Sequence, residues 1–430
     1  MSKLLNKYIY IFILIILYRL LFDYVYSTIT HPIWEYSGFV NNATNSSFVI
    51  SWVVMIALSL LVLPYFKNEK SFFPDLIILI FLMRVVPFTT MIRFVNTPDG
   101  LTSLYFLFFA LTFILTGFIK IKQVPLGGIK HSRVNDTILY LGLVFFSAII
   151  IFISGYYANF RFHLSFNDVY DLRQQASAFN IPTIVRYAWS PATNILPLLF
   201  VYFLSKKKYA ICGFIVFVIL LNFSINGMKS TFFKLLICVF FTIRNFKNFK
   251  HYYLPIFILL LLVTIIEGML WDFHIVHDIV IRRAFFIPTL LDTYYYDYIT
   301  QHGPMFYSRT GTAIQYIIGD VYFGNPEMDC NNGLFSDAFM NLGVLGCFVY
   351  PIVYAVLFKL SGSAFRRADK GLVVFAAMIM SYTLEGSELT TGLLTHGLFL
   401  FGIFMYLISR SNNLKYKHKL ICEKNRLLDT

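Results

Sequence analysis

The sequence predicts an all-α polytopic membrane protein of about twelve transmembrane helices, with a large extramembrane segment before the last three. Three observations predict it. Of 430 residues, 58% are hydrophobic and only 13% are charged, where a soluble domain carries roughly a quarter. Apolar runs of about 20 residues, the length that crosses ~30 Å of hydrocarbon, recur along the chain. The connections between those runs are alternately rich and poor in lysine, which is the pattern that sets membrane orientation.

The spans so read are 8–29, 47–66, 74–95, 101–119, 137–157, 182–204, 210–226, 229–243, 253–270, 338–360, 371–386 and 392–409. The first is too long for a signal-peptide core and no small-residue cleavage site follows it, so it reads as a retained span. The seventh and eighth are short and separated only by Asn226-Gly227-Met228-Lys229. They form either one tight hairpin or a broken re-entrant pair. Basic connections carry Lys3 and Lys7, Lys67 and Lys70, Lys120 to Arg133, Lys206 to Lys208, Arg244 to Lys250, Arg366 to Lys370, and the tail after Arg410. Both termini are therefore expected in the cytoplasm, with segments 158–181 and 271–337 outside. No repeat or low-complexity tract divides the chain, which reads as one helical domain, 1–430.

The net charge of +13 is dispersed between apolar runs, which argues for topology and against a nucleic-acid partner. The five cysteines lack C-x-x-C spacing, so neither a zinc site nor a disulfide framework is indicated.

Charges that break the orientation rule point to chemistry. The outer connections and helix ends carry Arg93, Arg161, Arg173, Arg186, Lys229, Arg282, Arg283 and Arg309, nearly all arginine, whereas the inner loops are mainly lysine. A guanidinium binds carboxylate or phosphate oxygens bidentately and stays charged at any accessible pH. Such a set predicts an anionic ligand on that side, although Asp168, Asp171, Asp278 and Asp292 offer ordinary ion-pair partners. Within the spans, Arg19 and Asp23 have the four-residue spacing of a structural ion pair. Arg84, with Pro87 close behind, has no evident partner, and Lys234 is placed as a snorkelling lysine.

The segment from Asp278 to Tyr298 has an amphipathic pattern, with Arg282, Phe286 and Thr289 on one stripe and Arg283, Leu290, Tyr294 and Asp297 near another. It is expected to lie at the outer interface. Its tyrosines, Tyr295 and Tyr296 in particular, could stack on sugar rings or form an interfacial aromatic belt. His274 and His277 have a spacing compatible with a metal, but no third and fourth ligand follows, so no metal is assigned. Ser336 or Asp337 is expected to cap the tenth span, and Asp337, Glu385 and Glu388 are carboxylates at the outer lip that could act as bases.

The stretches Arg282 to Tyr298 and Asn331 to Gly346, and more weakly the turn Ser224 to Ser230, resemble the Wzy-type polymerases that assemble O-antigen and related polysaccharides from repeat units. The resemblance covers the whole layout of spans and outer loops. It implies a glycosyltransferase of C-type architecture in the bacterial inner membrane, working at the periplasmic face without cofactor or metal. Its partners would be undecaprenyl-diphosphate-linked oligosaccharides, membrane lipids and a polysaccharide chain-length regulator. On that reading Arg173, Arg282, Arg283 and Arg309 meet the diphosphate and glycan anions, Arg93, Arg186 and Lys229 support them, Tyr295 and Tyr296 hold sugars, and Asp337 or His302 is the base. A lipid-linked oligosaccharide flippase and an O-antigen ligase are the competing assignments.

Overall fold

The computed structural model describes residues 2–67, 72–125, 132–163, 172, 174–176, 178–227, 234–235, 250–271, 273–308 and 311–411. Among the described residues the regular structure is helical, with no strand. Nine helices among them are long and apolar enough to cross a membrane. These are α1 (Lys7–Ser37), α2 (Asn45–Phe66), α3 (Phe73–Val95), α4 (Asp99–Phe118), α5 (Asn135–Ala158), α6 (Thr183–Ser205), α7 (Tyr209–Asn226) and α8 (Tyr252–Leu270). The ninth is Phe335–Ala364. It follows two helices of the long connection, α9 (277–302) and α10 (Ile314–Phe323), and is therefore α11. The protein is thus a polytopic helical membrane protein. The expected span 229–243 lies almost wholly outside the described residues. Those at 371–386 and 392–409 correspond to a helix Lys370–Glu385 and an apolar helix Leu398–Ser411, both below the length of the nine.

The surfaces of these helices show why a bilayer is needed. Along α1, Ile9, Ile13, Leu17, Leu20 and Tyr24 are exposed while Ile11, Ile15, Tyr18, Phe22 and Val25 are buried. Both sets follow the helical period, and both are apolar. On α2 the outward stripe is Val49, Val53, Ile56 and Leu60, and on α11 it is Phe348, Ile352 and Val356. Exposed apolar stripes of this length are stable against acyl chains and not against water.

The chain divides into two compact units, one of Met1–Ile121, Asn248–Lys359 and Leu384–Leu389, the other of Lys122–Lys247, Leu360–Thr383 and Thr390–Thr430. In the first unit α3 is the innermost helix, its apolar stretch buried along its whole length. α1, α2 and α9 pack on it, and α8 packs on α1. In the second unit α5, α6 and α7 pack on one another. Arg161 fixes the end of α7 there, donating from Nε to Ser224 O (3.0 Å) and from Nη2 to Ile225 O (2.8 Å). An arginine at this position satisfies the free carbonyls of a helix C-terminus and complements its dipole. Lys234 does not snorkel. It is buried in the same unit and donates to Asn194 Oδ1 at 2.7 Å.

Three helical segments of the first unit open into wide turns of the π type: Tyr26–Thr30, Phe81–Val85 and His277–Phe286. Each ends two residues before a proline, respectively Pro32, Pro87 and Pro288. The intervening residue donates its N–H five residues back, His31 to Tyr26 O, Val86 to Phe81 O and Ile287 to Arg282 O. A proline ring clashes with the carbonyl four residues earlier and offers that carbonyl no donor. Inserting one residue into the preceding turn relieves the clash while keeping the helix continuous. Proline alone is insufficient, since Pro197, Pro255 and Pro351 sit inside helices without such a turn.

The lipid-facing assignment is testable at Val53. An aspartate there should cost about 2.5–3.5 kcal/mol of membrane insertion, read as the fraction of α2 integrated in a translocation assay. Normal integration of V53D would place that stripe against water or protein.

Candidate functional site

The widened turn in α3 carries Arg84, a full positive charge with no exposed surface. Its Nη2 donates to Asp292 Oδ1 at 2.7 Å and to Asn332 Oδ1 at 2.8 Å. Asp292, also without exposed surface, comes from α9. Its Oδ1 accepts two further bonds, from Ser336 Oγ at 2.6 Å and Asn332 Nδ2 at 3.1 Å. The wide turn itself is satisfied from neighbouring helices. Tyr18 of α1 donates its hydroxyl to Leu82 O (3.1 Å) and Tyr105 of α4 donates to Arg84 O (3.2 Å), as buried carbonyls require. Burial pushes the Asp292 carboxyl above the ordinary carboxylate range, and the Arg84 guanidinium and the Ser336 and Asn332 donors pull against it.

A short turn links this pair to the start of α11. Asn332 and Ser336 flank Gly333 and Leu334, and Gly333 donates its N–H to Glu385 O at 3.0 Å. A β-carbon on Gly333 would lie 2.0 Å from Leu384 O and 2.4 Å from Ser387 O, so only glycine permits this backbone approach. Leu334 takes φ 52°, a conformation costing a bulky residue of order 1–3 kcal/mol that persists only where surrounding contacts impose it.

Asp337 lies one turn further on. α11 starts at Phe335 with Leu334 in the capping position and no side-chain cap, so neither Ser336 nor Asp337 is the N-cap, and Asp337 is the first-turn acid that was the other expectation for it. Ser336 is committed to Asp292 instead. Asp337 sits in the first turn, 1% exposed. Its Oδ2 accepts the Leu389 N–H at 2.7 Å, and its Oδ1 accepts Asn341 Nδ2 at 2.8 Å and the Tyr350 hydroxyl at 3.3 Å. These three donors fix the orientation of the Asp337 carboxyl.

In front of Asp337 lies a cleft lined by residues 305, 308 and 311–315 together with Met340, Asn341 and Glu388. Its lip is held by Met305 N–H to Met340 O (2.8 Å), Phe306 N–H to Asn341 O (3.0 Å) and Tyr307 N–H to Asn341 Oδ1 (3.2 Å). The carbonyls of Met340 and Asn341 are free to accept because the helix breaks at Gly343, whose φ of +56° favours glycine. Asn341 thus forms cleft wall on one side and holds Asp337 on the other. Glu388 lines the cleft, and its negative charge acts on Asp337. Glu385 does not line it.

The predicted cations are elsewhere or already engaged. Arg93 pairs with Asp23 at 2.7 Å, and Asp23 also pairs with Arg19, as the four-residue spacing anticipates. Arg282 lies 3.7 Å over the Trp34 ring, with Nε 3.7 Å from Asp278 Oδ1. Arg283 and Arg186 are exposed, on α9 and α6. Neither Arg282 nor Arg283 lines the cleft. Arg173, Lys229 and Arg309 lie outside the described residues, Arg309 between the cleft residues Ser308 and Gly311.

Several expectations for α9 are corrected. One stripe of the helix, Ile281, Phe285, Thr289, Asp292, Tyr295 and Ile299, is buried against the protein. Tyr295 is 2% exposed and donates to Cys330 O at 3.1 Å, so it offers no face to a sugar. Tyr296 stacks on Phe339 with ring centroids 5.0 Å apart. His302 is exposed at the helix end, stacked on Tyr298, with Nδ1 at 2.9 Å from Tyr298 O. His277 has both ring nitrogens occupied, by Thr30 Oγ1 at 2.9 Å and Asp278 Oδ1 at 3.0 Å, which leaves none for a metal. Among the described residues no three His, Cys, Asp or Glu side chains gather around a common point.

Arg84, Asn332 and Ser336 were not among the site residues the sequence singled out. The chain itself has no match among protein-family models, curated proteins or solved structures.

Two measurements test this geometry. R84M alone should destabilise the protein by about 3–5 kcal/mol because Asp292 is left as an unpaired buried charge, and R84M/D292L should recover most of that loss. Equal destabilisation of both would mean that the pair is not the anchor. Burial pushes the His277 imidazole below its ordinary 6.5, with Arg282 and His274 adding to the effect and Asp278 opposing it. The unfolded chain then binds a proton that the folded one resists, so stability falls as pH drops below about 6.5. The thermal midpoint in detergent should fall on acidification through that range, and less steeply in H277Q.

Proposed function

We propose that this chain is a polysaccharide polymerase of the Wzy type, with about twelve spans, both termini in the cytoplasm and its reaction at the periplasmic face of a bacterial inner membrane. It transfers a growing glycan from undecaprenyl diphosphate to the terminal sugar of a new lipid-linked repeat unit. The observation that carries the reading is a cleft lined by Glu388, with the buried Asp337 carboxyl behind its Asn341 wall.

Glycosyl transfer makes two demands. The acceptor hydroxyl must lose a proton as its oxygen bonds to the anomeric carbon of the donor. The carbon–oxygen bond to the diphosphate breaks in the same event, and negative charge moves onto the leaving group. Two carboxyls in different environments suit the first demand. Glu388 faces the cleft, and Asp337, held by three donors, sits behind Asn341. Arginine suits the second demand, since charge-assisted hydrogen bonds at a developing anion stabilise it without a metal. Of the candidates, Arg309, which falls in sequence between the cleft residues Ser308 and Gly311, is assigned to the diphosphate. Tyr296 remains the aromatic candidate for a sugar contact.

D337N and E388Q should each lower polymerisation by about 10²–10⁴-fold, the usual contribution of a general base. In cells the surface polysaccharide of either variant would run on a gel as single repeat units on the core. Long chains from both variants would remove the carboxylate mechanism. Loss of all repeat units on deleting the protein would indicate a flippase or a ligase instead.

A further inference from the structure

A buried carboxyl that the transfer reaction does not use belongs to a segment bonded to Gly333, next to the Asn332 that braces the Arg84–Asp292 pair. Glu385 is 3% exposed, and the charged groups acting on it are Arg84 from α3 and Asp292 from α9. The cluster therefore holds one cation and two carboxyls. In a water-poor interior an uncompensated charge is far more costly than a neutral acid, so one of the two carboxyls carries a proton.

The hydrogen bonds decide which. Asp292 Oδ1 receives Arg84, Asn332 and Ser336, an arrangement that holds a carboxylate. Glu385 Oε1 is enclosed and receives no donor; Asp292 Oδ2 also lacks one, but Asp292 gathers three donors on its other oxygen. The backbone around Glu385 leads directly to Asp337. Gly333 N–H bonds Glu385 O at one end of segment Leu384–Leu389, and Leu389 N–H bonds Asp337 Oδ2 at the other.

We propose that Glu385 is a proton-binding site, holding a proton as a neutral carboxylic acid in the field of the Arg84–Asp292 pair, and that this proton keeps segment 384–389 seated so that Leu389 can position Asp337. Glu385 is a positioning residue. Removing its proton places a second negative charge in the cluster and strains the connector that carries the Leu389 N–H. The positioning half rests on the assignment of Asp337 to proton transfer. The proton site itself does not.

The test is the infrared difference spectrum of wild-type protein minus E385Q, purified in detergent at neutral pH. The expected difference is a protonated-carboxyl carbonyl band that shifts in heavy water, with no carboxylate bands, and an unchanged thermal midpoint because glutamine matches the neutral acid. Carboxylate bands in the difference would overturn the proposal, as would failure of E385Q to accumulate while E385D does. With polyprenyl-diphosphate-linked repeat units as substrate, wild-type polymerisation should decline on the alkaline side and E385Q should lack that decline. Coincident alkaline limbs would overturn the positioning role. A correct infrared signature in a protein that polymerises nothing would leave the proton site standing and remove the polymerase reading.

Discussion

A guanidinium placed at the centre of the most enclosed helix of the first unit, where taking an ion out of water costs several kcal/mol, constrains everything built around it. Arg84 is tolerated because Asp292 supplies the opposite charge and Asn332 a second acceptor. Those two residues arrive from a connection that the hydropathy pattern places outside the bundle. The ion pair therefore explains why α9 lies against α3 and why the turn at residues 332–336 is drawn inward. It also accounts for a strained Leu334 and a glycine at 333 that no larger residue could replace. The carbonyls loosened around Arg84 are met by tyrosines from α1 and α4, so the same centre ties four helices together.

The bilayer and most of the spans were legible because apolar length and period are properties of single segments. Arg19 with Asp23 was legible for the same reason, both residues being on one helix. Arg84 stood out as a charge inside a span but had no visible partner, since Asp292 lies more than two hundred residues away. Asp292 was legible as an ion-pair acid, but nothing local tied it to Arg84. Counting the helical period from Arg282 runs through the wide turn at His277–Phe286, and the buried stripe is actually Ile281, Phe285, Thr289, Asp292, Tyr295 and Ile299. The recurrence of buried-type residues at three- and four-residue steps, with an aspartate among them, was the available signal. Tyr295 was singled out from the tyrosine run for its ring chemistry, and composition does not show that it is the core member of that run.

Three carboxyls of the first unit sit in three environments that a sequence cannot separate. Asp292 is neutralised by an arginine. Asp337 is held by neutral donors at a helix start, next to a cleft. Glu385 has neither arrangement, although it lies only three residues from the cleft-lining Glu388. The difference arises from the backbone path between residues 384 and 389, which turns one glutamate inward and the other toward the cleft. Arg161, Arg93 and Arg282 are likewise sorted by contact into a helix cap, an ion pair and an aromatic stack, and their shared chemistry does not by itself imply a shared site.

The wide turns have a consequence for rotation as well as for hydrogen bonding. An α-helix advances about 100° per residue, so one additional residue before Pro87 resets the angular position of everything that follows it on α3. Arg84 faces Asp292 within the turn while Arg93, beyond it, faces Asp23 on α1. Loss of a single residue from Phe81–Val85 would turn the outer end of α3 by that angle and carry Arg93 away from its carboxylate, while leaving composition and span length almost untouched. Two chains with indistinguishable hydropathy profiles could then differ in which helix faces present their charges, and the angular register set by three prolines would be the trait that separates them.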